Sequence, residues 1–263
     1  MIPDDDLLRR YAFAETLIGE AGALALGYFQ RAGELVVHSK GVQDMASEAD
    51  LAVEDLIRSR LDAAFPDDAF LGEESGSTGD PDAPGLWVVD PIDGTQPFVS
   101  GLPSWCVSIA YVRDGEVAFG LVDAPAIGER FAGSRWTDAT RNGVPVKPHP
   151  GTSVRDGLTY LGASPRMRAD DLTPIFDRLL RAHGMFVCGG SGALGLCDVA
   201  CGRLVGYLEP HINSWDCLGA VAVLQAAGCR VSDFLSVPGA LLNGTSIVAA
   251  TPPVYDELAA ILG

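Results

Sequence analysis

Apolar residues recur at helical spacing at the start of the chain. Between residues 4 and 32 they return every third or fourth position, which predicts one long amphipathic helix. A second helix is predicted over about residues 49–64. Ser47-Glu48-Ala49-Asp50 has the capping-box pattern that begins a helix, and Pro66 follows where the helical pattern stops. Asp50 therefore has a structural role available to it at this helix start.

Short runs of apolar and β-branched residues follow the second helix and predict strands. The runs lie at residues 69–72, 86–90, 106–113 and 116–122. Asp114-Gly115 joins the last two runs and is a strong signal for a β-hairpin. The first half of the chain is therefore predicted to place two helices on a largely antiparallel sheet.

The pattern changes to strands and helices in alternation beyond a proline-rich, loop-like stretch at residues 144–151. Strands are predicted at residues 158–162, 185–188, 204–209, 229–231 and 247–250. Helices are predicted from Asp171, from Ser191, at residues 215–227 and at the end of the chain. This change predicts two subdomains. Residues 1–147 form an α+β unit with an antiparallel sheet, and residues 148–263 form an α/β unit.

Composition narrows the class of protein. The longest apolar stretches, such as residues 218–228, are much shorter than the roughly 20 residues that cross a bilayer. Acids occupy residues 4–6, where a signal peptide carries basic residues, so we expect a soluble cytoplasmic protein. With 35 acidic and 18 basic side chains the net charge is -17, which argues against nucleic acid and anionic membranes as partners. Such a protein can still bind a phosphate through divalent cations.

Two acids three residues apart follow an apolar strand in Trp87-Val-Val-Asp90-Pro-Ile-Asp93-Gly-Thr95. Pro and Gly fix a turn there that can aim both carboxylates and a backbone carbonyl at one point, as a hard cation requires. Glu73 and Glu74 follow another strand in the same way, so two strand ends bring acids to one sheet edge. Each segment alone has an ordinary alternative, a solvated turn or an exposed pair of acids.

A third acidic segment is Glu209-Pro-His-Ile-Asn-Ser-Trp-Asp216, with one acid at a strand end and one in the first turn of a helix. Asp216 can interact favourably with the helix dipole there. Asn213 or Ser214 can serve as the N-cap of the same helix. A stabilising role and a binding role both remain open for this segment.

Three segments, in this order and at this separation, resemble motifs of the inositol monophosphatase family of lithium-sensitive, magnesium-dependent phosphatases. They are Gly72-Glu-Glu-Ser75, Asp90-Pro-Ile-Asp-Gly-Thr95 and Trp215-Asp216. Lys40 through Asp50 resembles a fourth motif of that family. The resemblance implies an α/β (α+β) fold, an αβαβα layered sandwich of the sugar-phosphatase type. It has an antiparallel N-terminal sheet, a mixed C-terminal sheet and the site between them.

The resemblance also implies a role for each matching position. Glu73 and Thr95, the latter paired with Asp50, would be the catalytic residues that position the attacking water. Two Mg²⁺ ions would be bound, with a third, weaker ion near Glu73. The implied metal ligands are Glu73, Asp90, the Ile92 carbonyl, Asp93 and Asp216. The implied substrate-binding residues are Asp93, Gly94, Thr95, Gly190, Ser191, Gly192, Glu209 and Asp216, with the Gly94 and Thr95 amides receiving phosphate oxygens at a helix start.

Gln96-Pro97-Phe98 departs from the family, which more commonly has a small or polar residue followed by Asn-Phe at this place. Proline stiffens the first turn of a helix and removes an amide. We therefore expect Pro97 to alter the phosphate contacts or the rim of the substrate site.

The predicted function is Mg²⁺-dependent hydrolysis of a small phosphomonoester by metal-activated water. Inositol monophosphate or a related polyol or sugar phosphate is the first expectation. Fructose 1,6-bisphosphate, histidinol phosphate, a nucleotide 3'-phosphate and NADP remain alternatives. A second phosphate would favour a basic cluster near Glu209, for which Arg203 and His211 are the candidates.

A function of a different class also remains open. Members of this family can act as regulatory binding partners in bacterial transcription antitermination. The resemblance further implies a homodimer, because that is the usual state of the family.

Overall fold

The computed structural model describes residues 2–31, 37–41, 44–80, 83–164 and 167–263, and for residues 37–41 and 44–46 it describes the backbone alone. A two-stranded ribbon of β1 (Val37–Gly41) and β2 (Asp44–Ser47) lies before the second helix. Among the described helices, none is long and apolar enough to cross a membrane.

Two helices cover the outer face of the first sheet. They are α1 (Asp5–Phe29) and α2 (Glu48–Ala64). The capping box predicted at the start of α2 is present, since Ser47 Oγ accepts from the Ala49 amide at 3.2 Å and Asp50 Oδ2 accepts from the Ser47 amide at 2.8 Å. Both helices are therefore confirmed, with ends within three residues of the predicted bounds.

The first sheet is built from eight strands of the N-terminal half. They are β3 (Ala69–Gly72), β4 (Gly76–Thr78), β5 (Gly85–Asp93), β6 (Cys106–Arg113), β7 (Glu116–Ala124), β8 (Glu129–Ser134), β9 (Thr137–Arg141) and β10 (Val144–Pro145). Their order is β10-β9-β8-β7-β6-β5-β3-β4, with β3 and β5 parallel and the other pairs antiparallel. Asp114 and Gly115 form the predicted turn between β6 and β7, with φ angles of 54° and 76°.

The second sheet is mixed, as predicted. Its strands are β11 (Leu158–Leu161), β12 (Met185–Val187), β13 (Gly206–Ile212), β14 (Arg230–Val231) and β15 (Thr245–Ala250). Their order is β12-β11-β13-β15-β14. β11 runs parallel to β12 and β13, while β15 runs antiparallel to β13 and β14.

The remaining helices complete five layers. They are α3 (Thr95–Val99), α4 (Ala169–Arg181), α5 (Gly192–Ala200), α6 (Ser214–Ala226), α7 (Ala240–Asn243) and α8 (Tyr255–Leu262). α5 and α6 pack between the two sheets, and α4 and α8 cover the far side of the second sheet. The predicted αβαβα sandwich is therefore confirmed.

The backbone of α6 packs directly on two glycines of the first sheet, which place no side chain beneath it. Gly120 of β7 and Gly133 of β8 are paired directly across the ladder. A Cβ at Gly120 would overlap the Gly219 carbonyl of α6, and a Cβ at Gly133 would lie 2.6 Å from Val223 Cα. These contacts fix where the N-terminus of α6 meets the strand ends.

Several elements differ from the sequence prediction. β13 ends at Ile212, three residues beyond its predicted end, and the stretch predicted as a loop at residues 144–151 begins with β10. β8 and β9 were not predicted. The subdomain boundary near residue 147 stays a prediction, and the apolar core around α6 includes residues from both sides of it.

Candidate active site

A β-bulge brings Asp90 and Asp93 together at the end of β5. In a regular strand, residues three positions apart face opposite sides of the sheet. Asp90 pairs with Ser108 and Asp93 with Cys106, so β5 carries one extra residue between the two pairs. Asp90 Oδ1 accepts from the Ile92 amide at 2.9 Å, which orients that carboxylate within the bulge. Both acids can therefore point to one place.

Asp216 reaches the same place from the first turn of α6. Carboxylate oxygens of Asp90, Asp93 and Asp216 lie within 4.8 Å of one another, and we call these three residues the carboxylate cluster. Asp216 Oδ2 accepts from the backbone amide of Asn213 at 3.2 Å and from its side chain at 3.0 Å. Of the two N-cap candidates the structure shows Asn213, so Asp216 completes a capping box and joins the cluster.

Glu73 lies beside the cluster because β3 and β5 are parallel neighbours. Gly72 pairs with Val89, and the Glu73 amide donates to the Val89 carbonyl at 3.2 Å. The two acidic strand ends therefore meet at one sheet edge, as their sequence pattern predicted. Glu73 lines the same cavity as the cluster.

Glu54 supports this turn and was missed by the sequence analysis. Its buried carboxylate accepts from the amides of Glu74 at 2.9 Å and Ser75 at 2.7 Å. A side chain at Gly72 would collide with it. The available signal was a glutamate on the buried face of α2, between Val53 and Ile57.

Asp93 also connects the first sheet to α5. It accepts from Ser191 Oγ at 2.6 Å, from the Gly192 amide at 3.1 Å and from the Ala193 amide at 2.7 Å. Amides at the start of a helix favour a negative charge. Asp93 is therefore held from the C-terminal half of the chain although it belongs to β5.

The cluster concentrates negative charge in a buried place. Burial, followed by the neighbouring Glu73 and Asp93, raises the pKa of Asp90 well above its ordinary value. Burial and the nearby Asp216 raise the pKa of Asp93 to about 7. Asp90 Oδ2 is buried, and no group in the described part of the chain donates a hydrogen bond to it. Oxygen ligands of this type fit a hard divalent cation, which would supply the missing positive charge.

Thr95 lies between the cavity and Asp50. Its Oγ1 is 3.1 Å from Asp50 Oδ1 and 3.2 Å from the Ile92 carbonyl, both within donating distance. Asp50 is fully buried and does not line the cavity. Within the fourth motif, residues 42–43 and the side chains of residues 40–41 and 44–46 lie outside the described part of the chain.

The carboxylate cluster opens into a cavity of about 500 Å³ between the two sheets. All of the residues predicted for the site line it except Asp50, namely Glu73, Asp90, Ile92, Asp93, Gly94, Thr95, Gly190, Ser191, Gly192, Glu209 and Asp216. Further lining residues that the sequence analysis did not identify include Gln96, Tyr160, Gly162, Ser164, Cys188 and Tyr207. Tyr160, Gly162 and Ser164 lie far along the chain from the acidic motifs, which leaves no local signal, whereas Gln96, Cys188 and Tyr207 lie within two residues of predicted site residues.

The opposite wall of the cavity carries Glu209. Its carboxylate is buried and accepts from the Tyr207 hydroxyl. A side chain at Gly162 would collide with this carboxylate, so the glycine leaves space for it. Glu209 therefore presents an anionic oxygen acceptor across the cavity from the cluster.

The two basic candidates for a second phosphate do not line the cavity. Arg203 instead donates to Glu129 at 2.7 Å and to Asp198 at 2.8 Å. The His211 Nε2 atom lies 2.8 Å from the Asn243 carbonyl oxygen. Among the residues described, no Lys, Arg or His side chain lines the cavity.

A five-layer sandwich with a carboxylate cluster between its sheets is the architecture of metal-dependent sugar phosphatases. Residues 6–262 match the model of the inositol monophosphatase family, so this chain belongs to that family. Members of the family are metal-dependent phosphatases, and the chain is therefore a phosphoric monoester hydrolase.

Relatives across the family are similar over most of their length. Inositol monophosphatase 1 of Solanum lycopersicum is 38% identical, covering 89% of this chain and 91% of the relative. Histidinol-phosphatase of Chlorobaculum parvum is 32% identical, covering 94% of each. A Xylella fastidiosa protein named Nus factor SuhB is 35% identical, covering 81% of this chain and 78% of the relative.

Solved structures agree with the fold. The inositol monophosphatase of Anabaena (Nostoc) superposes with a TM-score of 0.84 at 31% identity, covering 98% of this chain and 96% of that one. The structure of SaIMPase-II with inositol monophosphate bound superposes with a TM-score of 0.76 at 27% identity, covering 96% and 92%.

Proposed function

We propose that this protein is a Mg²⁺-dependent phosphatase of inositol monophosphate or a closely related polyol phosphate. The carboxylate cluster is the observation that carries the proposal. Three carboxylates within 4.8 Å, two of them buried, need added positive charge, and so does an anionic phosphate that enters an acidic cavity.

The proposed ligands of two to three Mg²⁺ ions are Glu73, Asp90, the Ile92 carbonyl, Asp93 and Asp216. When bound, Mg²⁺ would lower the pKa of a water molecule and neutralise charge on the phosphoryl group. The protein contributes the arrangement of these oxygens, through the bulge in β5 and the seat of α6. No covalent nucleophile is needed.

Thr95, Asp50 and Glu73 are proposed to orient the attacking water. When Thr95 donates its proton to Asp50, the remaining lone pairs of its hydroxyl are available to accept from water. Asp50 is held for this by the Ser47 amide and hydroxyl, at 2.8 Å and 2.6 Å. Glu73 lines the cavity near Asp90 and can accept the second proton of the same water.

The other lining residues are proposed to bind the substrate. Backbone amides of Gly94 and Thr95 receive phosphate oxygens, while the turn formed by Gly190, Ser191 and Gly192 flanks the leaving alcohol with Asp93 and Asp216. Glu209 accepts from a hydroxyl of the polyol. The lack of a cationic side chain in the described lining favours a substrate with one phosphate over fructose 1,6-bisphosphate, NADP or a nucleotide bisphosphate.

Histidinol phosphate is the second candidate substrate. The relative in Chlorobaculum parvum is named histidinol-phosphatase and matches 94% of this chain. The buried Glu209 carboxylate can bind an ammonium group as readily as a hydroxyl.

A regulatory binding role in transcription antitermination is the non-enzymatic candidate, supported by the name of the Xylella fastidiosa relative. A pure binding module has no physical need for converged buried carboxylates, so we rank this role below catalysis.

Family membership further supports a homodimer, and the net charge of -17 disfavours nucleic acid as a direct ligand. We propose a cytoplasmic location, which the free thiols of all six cysteines support.

The decisive experiment measures phosphate release from inositol 1-phosphate, histidinol phosphate, fructose 1,6-bisphosphate, NADP and adenosine 3',5'-bisphosphate, with Mg²⁺ or EDTA. We expect turnover of a monophosphate that requires Mg²⁺ and falls about a thousandfold in Asp93→Asn. Asp114→Asn, the same change at the exposed hairpin turn, is the matched control and should retain full activity.

A folded protein that binds Mg²⁺ but releases phosphate from none of the panel would contradict the proposed activity. The binding role would then become the leading hypothesis. Turnover of a bisphosphate in preference to the monophosphates would instead contradict the proposed substrate class.

A further inference from the structure

Tyr160 of β11 supports the turn at residues 189–191 from below. Its hydroxyl donates to the Ser191 carbonyl at 2.9 Å and accepts from the amides of Gly189 and Ser191 at 2.8 Å and 3.3 Å. A phenol hydroxyl has one proton to donate and two lone pairs that accept. All three hydrogen bonds of the Tyr160 hydroxyl therefore join it to the backbone of this one turn.

This turn leads directly to the carboxylate cluster. Ser191 Oγ donates to Asp93 at 2.6 Å and accepts from the Leu194 amide at 3.2 Å, so the same residue begins α5 and holds the aspartate. The Gly192 and Ala193 amides that follow donate to Asp93 as well. A shift of Ser191 would therefore move three donors of Asp93 at once.

The Tyr160 ring fits closely in its place. The side chain is 6% exposed, and a Cβ at Gly195 would lie 2.7 Å from the ring. The ring stacks on Tyr207, with centroids 5.0 Å apart and an interplanar angle of 13°. The hydroxyl of Tyr207 points to a different group, Glu209. The two stacked tyrosines therefore support two different walls of the cavity.

We propose that Tyr160 is a positioning residue that acts through Ser191 to hold Asp93 in the geometry that metal binding requires. The inference rests on the proposed function, because it assigns Asp93 a role toward Mg²⁺. Burial raises the pKa of Tyr160, so the proton that binds the Ser191 carbonyl stays in place at neutral pH. The role differs from general packing because it runs through the hydroxyl.

The test compares Tyr160→Phe with Tyr207→Phe in the full chain. Each variant keeps its ring and loses one buried hydroxyl. Isothermal titration with Mg²⁺ and no substrate gives the first readout, and kcat and KM for inositol 1-phosphate give the second. We expect Tyr160→Phe to weaken Mg²⁺ binding about tenfold and to lower kcat, since support of a ligand contributes on this scale. We expect Tyr207→Phe to keep Mg²⁺ affinity within about twofold and to raise KM, because the hydroxyl that it loses donates to Glu209, which is assigned to the substrate and not to the metal.

Equal Mg²⁺ affinity in folded Tyr160→Phe and wild type would overturn the inference, and so would an equal loss in both tyrosine variants. If Tyr160→Phe does not fold, Gly189→Ala takes its place, because the added Cβ lies 3.0 Å from the Tyr160 hydroxyl and pushes on it. That variant should also bind Mg²⁺ more weakly, and unchanged affinity would overturn the inference. A wild type that binds Mg²⁺ without turnover contradicts the proposed function only, since the titration still decides the role of Tyr160.

Discussion

The two walls of the cavity are built in different ways. On the carboxylate side, Asp90 and Asp93 come from one continuous segment, residues 90–95, folded by one bulge, and Asp216 joins them from α6. The opposite wall comes from Tyr160, the turn at residues 189–191 and Tyr207 with Glu209, which lie on separate elements of the second sheet and its connections. Local backbone geometry brings Asp90 and Asp93 together, whereas hydrogen bonds between separate elements join Tyr160 to the turn on the opposite wall, and Ser191 of that turn also holds Asp93.

The acidic groups lie mainly on the carboxylate side, while hydrogen-bonded tyrosines on the opposite wall help to hold them in position. The carboxylate side contains closely spaced acids with raised pKa values, and one of its buried oxygens lacks a donor among the described residues. The opposite wall contains satisfied hydroxyls and a close fit of ring against glycine. We therefore expect substitutions on the carboxylate side to change activity and metal binding most. Substitutions that alter packing should change activity indirectly, by moving the acidic side chains.

Asp90→Asn should produce the largest effect and should separate activity from stability. Phosphate release should fall about a thousandfold, since a carboxylate ligand is lost. In EDTA at pH 8, however, the variant should be more stable than wild type by about 1 kcal/mol, because a buried carboxyl group beside Glu73 and Asp93 is replaced by a neutral amide. Thermal unfolding with EDTA or Mg²⁺, together with the phosphate assay, measures both effects.

The pH dependence follows from the sign of the shift. A carboxyl group whose pKa is raised by folding binds more protons in the native state, so metal-free stability falls as pH rises through the window between the unfolded and folded pKa values. For Asp93 that window runs from the ordinary aspartate pKa of 3.8 to about 7. The advantage of Asp90→Asn in EDTA should therefore shrink at pH 4. An Asp90→Asn protein that is less stable than wild type in EDTA at pH 8 would contradict this account.

Gly120→Ala should give the next largest effect by moving α6 and the Asp216 that it carries. The new Cβ would overlap the Gly219 backbone, which cannot shift as a side chain can. We expect a loss of about 2 kcal/mol in the free energy of unfolding, as for other overpacked cores. Phosphate release should fall about tenfold to a hundredfold, since misplacement by about 1 Å is costly in catalysis. Chemical denaturation and the phosphate assay check both values.

Gly27→Ala is the matched control for this change. Gly27 lies in α1, and among the described residues no atom beyond its chain neighbours and the helix backbone lies within 4 Å of the added Cβ. The substitution should therefore stabilise the helix slightly and leave activity unchanged. If Gly120→Ala loses stability but retains full activity, the position of α6 does not determine that of Asp216.

The sequence predicted most of the carboxylate side and little of its support. Asp90 and Asp93 were found because a strand runs directly into them, and the parallel strand end brought Glu73 to the same edge. Glu54, Tyr160 and Tyr207 were missed. Glu54 and Tyr160 form hydrogen bonds with residues of other elements, and Tyr207 forms one with a residue two positions along its own strand. The bulge in β5 was missed too, since it is visible only in the pairing with β6. Family resemblance supplied Gly190, Ser191 and Glu209 of the opposite wall, which spacing alone would not have identified.

Pro97→Ala should have the smallest effect and tests the point where the two walls meet. The Pro97 ring packs on Gly190, where a Cβ would lie 2.6 Å from its Cγ, and Ser104 Oγ donates to the Gly189 carbonyl at 2.8 Å beside it. As the third residue of α3, Pro97 lacks only an amide that has no partner within a helix. We expect the free energy of unfolding to change by less than about 1 kcal/mol and KM by less than about threefold, with Mg²⁺ affinity unchanged.

Pro253→Ala, at an exposed proline before α8, controls for the added freedom of the unfolded chain. Denaturation, Mg²⁺ titration and initial rates on both variants make the comparison. The Gly189 carbonyl bond to Ser104 and the phenol of Tyr160 remain in Pro97→Ala, so the turn keeps two of its supports. A large loss of Mg²⁺ affinity in Pro97→Ala would mean that the turn is positioned from the carboxylate side rather than from Tyr160. The order of dependence between the two walls would then be the reverse of the one inferred from the hydrogen bonds.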